Sequence, residues 1–289
     1  MIEFKQITEL TKDYVQKKID AYLMEDKAEY DMTTRYTVQK NIPVVAIVEA
    51  KDDCVFVGEQ ILLYIFEKCS VELKVKDGDV IHKGETITII KGRAAHILSR
   101  ERVMLNVIQR LSGIATTTRK YVEIAKPYGV KILDTRKTTP GMRLFEKYAV
   151  YKGGGTNHRL NLSSVILIKD NHLISGKGIK NVINKINLKN KYEIQVELEV
   201  DTIEQLKEGL SLGVKAFLLD NMSPEKIREC VAFICDNAER NDIFLEASGG
   251  IDLNNLSEYV STGIDAISIG ALTHRIISAD ISLNFKNYK

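Results

Sequence analysis

The first part of the chain combines one helix-like segment with several short apolar runs. Residues 8–29 carry Val15, Ile19 and Leu23 on one face, a spacing that predicts an amphipathic helix. Strand-like runs follow, punctuated by turn residues such as Asp77-Gly78 and Lys83-Gly84. These runs occupy residues 44–49, 54–57, 71–75 and 86–90. Strands separated by turns in this way predict a small open sheet.

The pattern changes after an apolar, helix-length segment at residues 98–114. Beyond it, apolar strands alternate with helical stretches such as residues 202–212 and 224–237. The strands are recognised at Ile132, Val165, Ile194, Ala216, Ile243 and Ala266. A repeated strand–helix order predicts a parallel sheet. The absence of a GxGxxG turn favours a barrel over an open dinucleotide-binding sheet.

Composition and charge exclude several classes of protein. The chain has 289 residues, is 44% hydrophobic and 28% charged, and carries a formal net charge of +2, as expected of a globular protein. It lacks the basic coat of a general nucleic-acid binder. No apolar run approaches the length of a membrane span, and the first ten residues do not resemble a signal peptide. We therefore expect a soluble, cytoplasmic protein with no nucleic-acid or membrane partner. The four cysteines lack ligand-like spacing and are predicted to be buried free thiols.

Polar or small residues follow every predicted strand of the second half. They are Asp134 to Lys137, Lys169, Glu197 with Glu199, Asp220 with Asn221, Ser248 to Gly250, and Gly270. In parallel barrels the ligand site lies at the carboxyl ends of the strands. Five of the groups in this region are cationic or can become so: Arg136, Lys137, His158, Arg159 and Lys169. Because such a cluster repels itself, we expect a ligand with several negative charges.

The strand at residues 194–200 carries two carboxylates that we expect to point into the barrel. Side chains alternate along a strand, so Gln195, Glu197 and Glu199 share one face, opposite the apolar residues. Burial of a carboxylate costs on the order of several kcal/mol unless a cation or metal accompanies it. One interpretation is an internal salt bridge between Glu197 and Lys169. The other places Glu199, nearest the strand end, against the substrate or a metal-bound ligand.

Two glycine-containing loops are candidates for binding phosphate. They are residues 247–251, with Ser248, Gly249 and Gly250, and residues 269–273, with Gly270. Glycine lets backbone N–H groups approach an oxyanion, although such sequences also form plain tight turns. In barrels, phosphate often binds after the last two strands, which favours the first interpretation. Arg102, on the linking helix, is compatible with either a surface charge or a ligand contact.

Several motifs together resemble the quinolinate phosphoribosyltransferase family, the carboxylating nicotinate-nucleotide pyrophosphorylases. The motifs are ERVMLN, DTRKTTPG, EKYAV, NHR, LIKDNH, VELEV, LLDN, EASGGI and IGALTH, in the order of the family. The resemblance covers the chain from about Asp31 onward. It implies an α/β fold with an N-terminal α/β sandwich, residues 1–112, with which the tail 275–289 can pack. The second domain, residues 113–274, would be the incomplete (β/α) barrel of the type II phosphoribosyltransferases.

The resemblance also implies an activity and roles for individual residues. The family transfers phosphoribose from phosphoribosyl pyrophosphate to quinolinate in the presence of Mg²⁺. Nicotinate mononucleotide, pyrophosphate and CO₂ are released. Lys137, Lys169, Glu199 and Asp220 would be catalytic, and the two carboxylates would face the ribose and Mg²⁺, directly or through water or pyrophosphate. Quinolinate would be held by Arg102, Arg136, His158 and Arg159, and the 5′-phosphate by Ser248, Gly249, Gly250 and Gly270.

The same resemblance implies an assembly and leaves two alternatives open. Arg102 would reach the site of the other subunit in a homodimer, and a trimer of dimers is compatible with the family. The chain departs from the family pattern at Asn161 and Ser164, where glycine and aspartate are usual, so His158 and Arg159 could be shifted. A paralogue associated with molybdenum transport, acting on another aromatic acid, shares the fold. A non-catalytic binder of a phosphorylated metabolite is the third possibility.

Overall fold

The computed structural model describes residues 2–39, 41–191 and 193–286, which form two compact units. The unit that we call the barrel unit contains the described residues up to Gln6, Lys120–Thr138 and Gly155–His274. The unit that we call the sandwich unit contains Ile7–Arg119, Thr139–Gly154 and the described residues from Arg275 onward. The sequence-based domains, 1–112 and 113–274, have different borders, because both units are built from more than one stretch of chain.

The strands and helices are as follows. The strands are β1 (Pro43–Ala50), β2 (Cys54–Val55), β3 (Ser70–Leu73), β4 (Val80–Ile81), β5 (Thr86–Arg93), β6 (Lys131–Leu133), β7 (Ile166–Ile168), β8 (Val196–Val200), β9 (Ala216–Asp220), β10 (Phe244–Ser248), β11 (Ala266–Ser268) and β12 (Ile281–Phe285). The helices are α1 (Lys12–Glu25), α2 (Met32–Thr37), α3 (Glu59–Ile65), α4 (Ala94–Ala125), α5 (Arg143–Lys152), α6 (Asp170–Gly176), α7 (Ile179–Lys189), α8 (Ile203–Ser211), α9 (Pro224–Asn237), α10 (Leu256–Val260) and α11 (Ala271–His274).

The sandwich unit is organised around a four-stranded antiparallel sheet in the order β12-β1-β5-β3. The predicted N-terminal helix is confirmed as α1, but it is shorter than the predicted residues 8–29. It begins where the Thr11 side chain accepts the backbone N–H of Tyr14. The predicted linking helix is confirmed, but at 32 residues α4 is much longer than predicted. It continues because no glycine or proline cluster interrupts it until Pro127.

The barrel unit contains six parallel strands in the order β6-β11-β10-β9-β8-β7. Strands β6 and β7 are the two edges of this sheet, so the described strands form an incomplete ring, as the resemblance implied. Leu133, Phe244 and their neighbours in the sheet form a buried cluster, against which Ile2 and Phe4 pack. Because the six strands are parallel, their carboxyl ends all lie at the same end of the sheet. Side chains from distant sequence segments meet there.

Two expectations from composition can be compared with the structure. None of the described helices is both long enough and apolar enough to cross a bilayer. The cysteines are all free thiols, but only Cys54 and Cys230 are buried, whereas Cys69 is half-buried and Cys235 is exposed. The prediction of buried thiols is thus wrong for Cys235, which lies on the solvent-facing side of the amphipathic helix α9.

Candidate active site

A cavity of about 360 Å³ opens at the carboxyl ends of the barrel strands. Strand register explains its composition: Ser268 pairs with Ser248, and Ser248 pairs with Asp220, across β11, β10 and β9. On the other side, Ile168 pairs with Leu198, so that Lys169 and Glu199 are the next residues of β7 and β8. The lining residues are Thr135, Arg136, Lys137, His158, Arg159, Leu167, Lys169, Glu199, Leu218, Asp220, Glu246, Ser248 and Ser268.

The loop after β6 presents two exposed cations, Arg136 and Lys137. The backbone N–H of Lys137 donates to Oγ1 of Thr135 at 3.0 Å. The hydroxyl of Thr273 donates to the carbonyl of Lys137 at 2.8 Å. These two hydrogen bonds fix the main chain of Lys137, and neither of them involves its ammonium group. Thr135 and Thr273 were not predicted as site residues, since a hydroxyl that bonds the backbone carries no distinctive sequence signal.

Arg159 is almost fully buried, with 7% of its surface exposed. Its Nη1 donates to the carbonyl of Val165 at 3.2 Å. Burial and the nearby Arg136 both lower the pKa of the Arg159 guanidinium, while Glu197 and Glu199 raise it. A guanidinium remains charged in proteins, so this environment favours a bound anion between the two arginines.

The two departures from the family pattern form a turn of their own between Arg159 and Val165. The side-chain Oδ1 of Asn161 accepts the N–H and the hydroxyl of Ser163, at 3.0 and 2.8 Å. The hydroxyl of Ser164 donates to the carbonyl of Asn161 at 3.2 Å. Because both residues are exposed and satisfy each other, Arg159 keeps its buried position with this sequence.

The carboxylates at the strand ends occupy different environments. Glu199 forms an ion pair with Lys169, in which the side chains are 13% and 44% exposed. Asp220 accepts the amide of Asn221 at 2.7 Å. The predicted inward direction of Glu197 and Glu199 is confirmed, since Glu197 is fully buried and Glu199 lines the cavity. The interpretation that pairs Lys169 with Glu197 is wrong, because Lys169 follows β7 beside the strand position of Glu199.

Beneath the cavity, His158 lies between two fully buried carboxylates. Its Nε2 is 3.2 Å from Oε2 of Glu197 and 3.4 Å from Oε2 of Glu246. Its Nδ1 accepts the backbone N–H of Arg159 at 2.7 Å, and the ring of Phe4 stacks on the imidazole at 4.3 Å. Burial raises the pKa of Glu246, and His158 opposes this effect. Sequence reasoning missed Glu246, although the alternation that revealed Glu197 also places Glu246 and Ser248 on one face of β10.

Of the glycines predicted to bind phosphate, Gly249 and Gly250 have a positive φ, which favours glycine. Gly249 has φ of +98°, and a Cβ there would lie 2.2 Å from Oδ1 of Asn221 and 2.9 Å from its backbone nitrogen. Gly270 passes so close to Lys137 that a Cβ would lie 2.8 Å from its Cδ. At Gly250, φ is +63° and a Cβ would meet no atom within 4 Å. The close approach to the Asn221 backbone explains glycine at position 249 without a ligand. At Gly270 the contact is with a flexible lysine side chain, and Gly250 keeps an open surface.

Arg102 lies in the sandwich unit, exposed on α4. With Lys18 and Arg110 it lines a separate cavity of about 590 Å³ within that unit. Arg110 is engaged by Glu146, which accepts its Nε and Nη2 at 2.9 and 2.7 Å. Arg102 is therefore the more exposed of the two arginine side chains.

Comparisons with known proteins assign the chain to a family. Residues 31–112 match the N-terminal domain, and residues 114–284 the C-terminal domain, of quinolinate phosphoribosyl transferase. The chain belongs to the quinolinate phosphoribosyltransferase family. A probable nicotinate-nucleotide pyrophosphorylase [carboxylating] of Bacillus subtilis (strain 168) is 40% identical over 274 residues, with 93% of each chain covered. The chloroplastic enzyme of Arabidopsis thaliana is 38% identical, over 88% of this chain and 77% of that one.

Solved structures of the family agree with this assignment. The nicotinate-nucleotide pyrophosphorylase of Francisella tularensis superimposes with a TM-score of 0.91 at 34% identity, covering 98% of this chain and all (100%) of the other. That of Ehrlichia chaffeensis gives a TM-score of 0.88 at 35% identity, with 93% and 98% coverage. The fold predicted from the resemblance is thereby confirmed.

Proposed function

We propose that this protein transfers phosphoribose from phosphoribosyl pyrophosphate to the ring nitrogen of quinolinate, with loss of CO₂. The products are nicotinate mononucleotide and pyrophosphate, as in the de novo synthesis of NAD. Beyond family membership, one observation carries the proposal. Arg136, Lys137, Arg159 and Lys169 line the same cavity as the carboxylates of Glu199 and Asp220. The cations match the negative charges of quinolinate and phosphoribosyl pyrophosphate. The carboxylates match the positive charge that develops on the sugar during the reaction.

Quinolinate would bind on the arginine side of the cavity. Its two carboxylates match the planar forks of Arg136 and Arg159, which can bind a carboxylate through two parallel hydrogen bonds. The buried position of Arg159 strengthens such a bond, because little water competes for the guanidinium. His158 lines the same cavity and was predicted to contact a carboxylate; its role is developed below.

The phosphoribosyl group would occupy the part of the cavity that Ser248 lines, next to the glycine loop that follows it. We place the 5′-phosphate against Ser248, Gly249, Gly250 and Gly270, where the Ser248 hydroxyl and backbone N–H groups can donate. The ribose would then face Glu199 and Asp220, whose negative charge stabilises an oxocarbenium-like transition state. Lys137 and Lys169 would neutralise the departing pyrophosphate. Lys169 is paired with Glu199, so substrate binding must redirect its ammonium.

Magnesium, which the family resemblance implies, is compatible with these residues. Mg²⁺ prefers oxygen ligands and keeps several waters. Asp220 is half-exposed at its strand end, whereas Glu199 is engaged by Lys169. We propose that Asp220 holds the ion, directly or through water, and that Glu199 contributes only after Lys169 has turned toward pyrophosphate. Bound magnesium would supply charge neutralisation of the leaving group.

Decarboxylation requires little further from the protein. Glycosylation of the ring nitrogen makes it cationic, and loss of the adjacent carboxylate leaves a carbanion that this charge stabilises. The proton that replaces the carboxylate can come from water. The residues of the cavity thus bind and orient, and no dedicated acid–base pair is proposed.

We further propose a homodimer in which Arg102 of each subunit completes the quinolinate site of the other, with a trimer of dimers as a larger form, acting in the cytoplasm. The exposed guanidinium of Arg102 supports this role. Cross-complementation tests it: mixing Arg102→Ala with Arg136→Ala subunits should restore part of the activity if the site is shared. No recovery in mixed dimers, confirmed by mass to have formed, would contradict a shared site.

The reaction itself is tested by incubating the purified protein with quinolinate, phosphoribosyl pyrophosphate and Mg²⁺, and following nicotinate mononucleotide by mass spectrometry. Product should depend on all three components. Competition by nicotinate and phthalate separates this activity from that of a paralogue acting on another aromatic acid. Binding of quinolinate without formation of nicotinate mononucleotide from quinolinate and phosphoribosyl pyrophosphate would refute the proposed transferase activity.

A further inference from the structure

The proposed reaction leaves a buried ionisable cluster in the barrel unit without a role. We call it the histidine–carboxylate cluster: His158, Glu197 and Glu246, with exposed fractions of 5%, 0% and 0%. Among the described residues, the carboxylate of Glu197 has no well-formed hydrogen bond, and the Ser268 hydroxyl is the polar neighbour that favours the charged form of Glu246. Burying two such groups is costly unless a proton or a cation accompanies them. The protonation state of the imidazole between them therefore determines how the two carboxyl groups are accommodated.

The tautomer of His158 follows from its other nitrogen. Nδ1 lies 2.7 Å from the backbone nitrogen of Arg159, which donates its hydrogen to it. A backbone amide can only donate, so Nδ1 must present a lone pair. An imidazolium, or the Nδ1–H tautomer, would place two hydrogens against each other. The ring is thus neutral and carries its proton on Nε2, which lies 3.2 and 3.4 Å from the two carboxylates.

The same amide argues against a metal ion in the cluster. The candidate ligand atoms of His158, Glu197 and Glu246 lie within 4.8 Å of one another, which would suit a small cation. A neutral imidazole that binds a metal through Nε2 must carry its proton on Nδ1, where the Arg159 N–H already points. The arrangement instead suits a neutral imidazole whose Nε2–H faces the carboxylate oxygens of Glu197 and Glu246, with N···O distances of 3.2 and 3.4 Å.

One of the two carboxyl groups is then best kept neutral. Around Glu246 lie His158 on its loop, Glu197 on β8, Asp134 after β6, and the Ser268 hydroxyl on β11. Burial is the largest effect and raises the pKa of Glu246. His158, the next cause, lowers it, Glu197 raises it, and the Ser268 hydroxyl and Asp134 lower and raise it to a smaller extent. Asp134 is itself occupied, accepting Nδ2 of Asn157 at 2.7 Å and the N–H of His158 at 2.8 Å.

We infer that His158 is a positioning residue, locked as the neutral Nε2–H tautomer, which fixes the main chain of Arg159 and adds no positive charge to the substrate site. Its Nδ1 holds Arg159, and the carboxylates and Phe4 hold the imidazole. The positive charge that attracts quinolinate then comes from the arginines and lysines alone. The substrate in this inference rests on the proposed function; the tautomer does not.

Nitrogen NMR tests the tautomer without turnover. The chain has five histidines, so a His158→Asn variant identifies the signals of His158 in the intact protein labelled with ¹⁵N. We expect an unprotonated Nδ1 and a protonated Nε2 that do not change between about pH 6 and pH 8, across the ordinary histidine pKa of about 6.5. An imidazolium or an Nδ1–H tautomer at neutral pH would overturn the inference, and so would one equivalent of a transition metal retained on purification.

A pair of variants tests the positioning role by quinolinate titration calorimetry. In His158→Asn, Oδ1 can replace Nδ1 as the acceptor for Arg159, whereas His158→Leu has no acceptor. We expect the Asn variant to bind quinolinate at least tenfold more tightly than the Leu variant, with wild-type dependence on salt, because no charge was removed. Equal loss in both variants, or a reduced salt dependence in His158→Asn, would show that His158 contacts substrate as a cation. Wild-type turnover is measured alongside, so failure of the transferase proposal is recognised separately.

Discussion

Substitution of Gly249 by alanine combines two costs that can be read from the backbone. The residue has φ of +98°, and the new Cβ would lie 2.2 Å from Oδ1 and 2.9 Å from the backbone nitrogen of Asn221. A left-handed conformation costs a residue with a Cβ roughly 1–2 kcal/mol. Overpacking adds typically about 1–3 kcal/mol, and here the backbone contact cannot be relieved by a side-chain rotation. We expect Gly249→Ala to lower the free energy of unfolding by about 2–5 kcal/mol.

Gly84→Ala is the matched control. Gly84 also has positive φ, +87°, but a Cβ there would meet nothing within 4 Å, so only the conformational cost applies. Urea unfolding followed by far-UV circular dichroism is the assay, since the chain has no tryptophan. Gly249→Ala should also raise the KM for phosphoribosyl pyrophosphate. The new Cβ displaces Asn221, and Asp220, which accepts a hydrogen bond from the Asn221 amide, is displaced as well. Equal stability of the two variants would refute the steric reasoning.

Three further predictions concern binding, pH and metal. Arg136→Gln should weaken quinolinate binding about 10- to 150-fold, as expected for loss of a hydrogen bond to a charged group, while Arg228→Gln, an exposed control, should not; unchanged affinity in calorimetry would remove Arg136 from the site. Because the folded-state pKa of Glu246 is raised, the stability associated with its proton is lost as pH rises through that pKa. Urea midpoints should therefore fall less in Glu246→Gln than in the wild type as pH rises from 4.5 to about 8, and parallel curves over that range would contradict this. EDTA should abolish turnover yet leave quinolinate binding intact; turnover that survives thorough chelation would exclude a magnesium role.

Much of the site could be predicted because strand alternation is a local property. The faces of β8 follow from Gln195, Glu197 and Glu199 alone, and the structure confirms that both glutamates point inward. The row of strand ends was equally visible, since each polar residue directly follows an apolar run. The same rule applied to β10 would have revealed Glu246.

Partners across the sheet could not be predicted in the same way. Whether Lys169 meets Glu197 or Glu199 depends on the register of β7 against β8, and a shift along the strand exchanges the two. The contact of His158 with Glu246 joins a loop to a strand far along the chain. Only the folded sheet determines such pairs.

The effect of Asn161 and Ser164 was also beyond the sequence. Their replacement of glycine and aspartate suggested a displaced Arg159, but the two side chains complete an exposed turn through their own hydrogen bonds. The asparagine side chain accepts main-chain N–H groups in such turns. Local compensation of this kind depends on atomic geometry.

Strand β6 pairs with β11, the last strand of the parallel sheet to be synthesised. During translation, the side of the Ile132-Leu133 strand that faces β11 therefore has no strand partner until nearly the whole chain has left the ribosome, since among the described residues only Thr156 pairs with its other side. An apolar strand edge that waits in this way can pair with other chains. Nascent and truncated forms of the protein should thus be both inactive and prone to aggregate, and its yield in the cell should depend on chaperones that shield this edge.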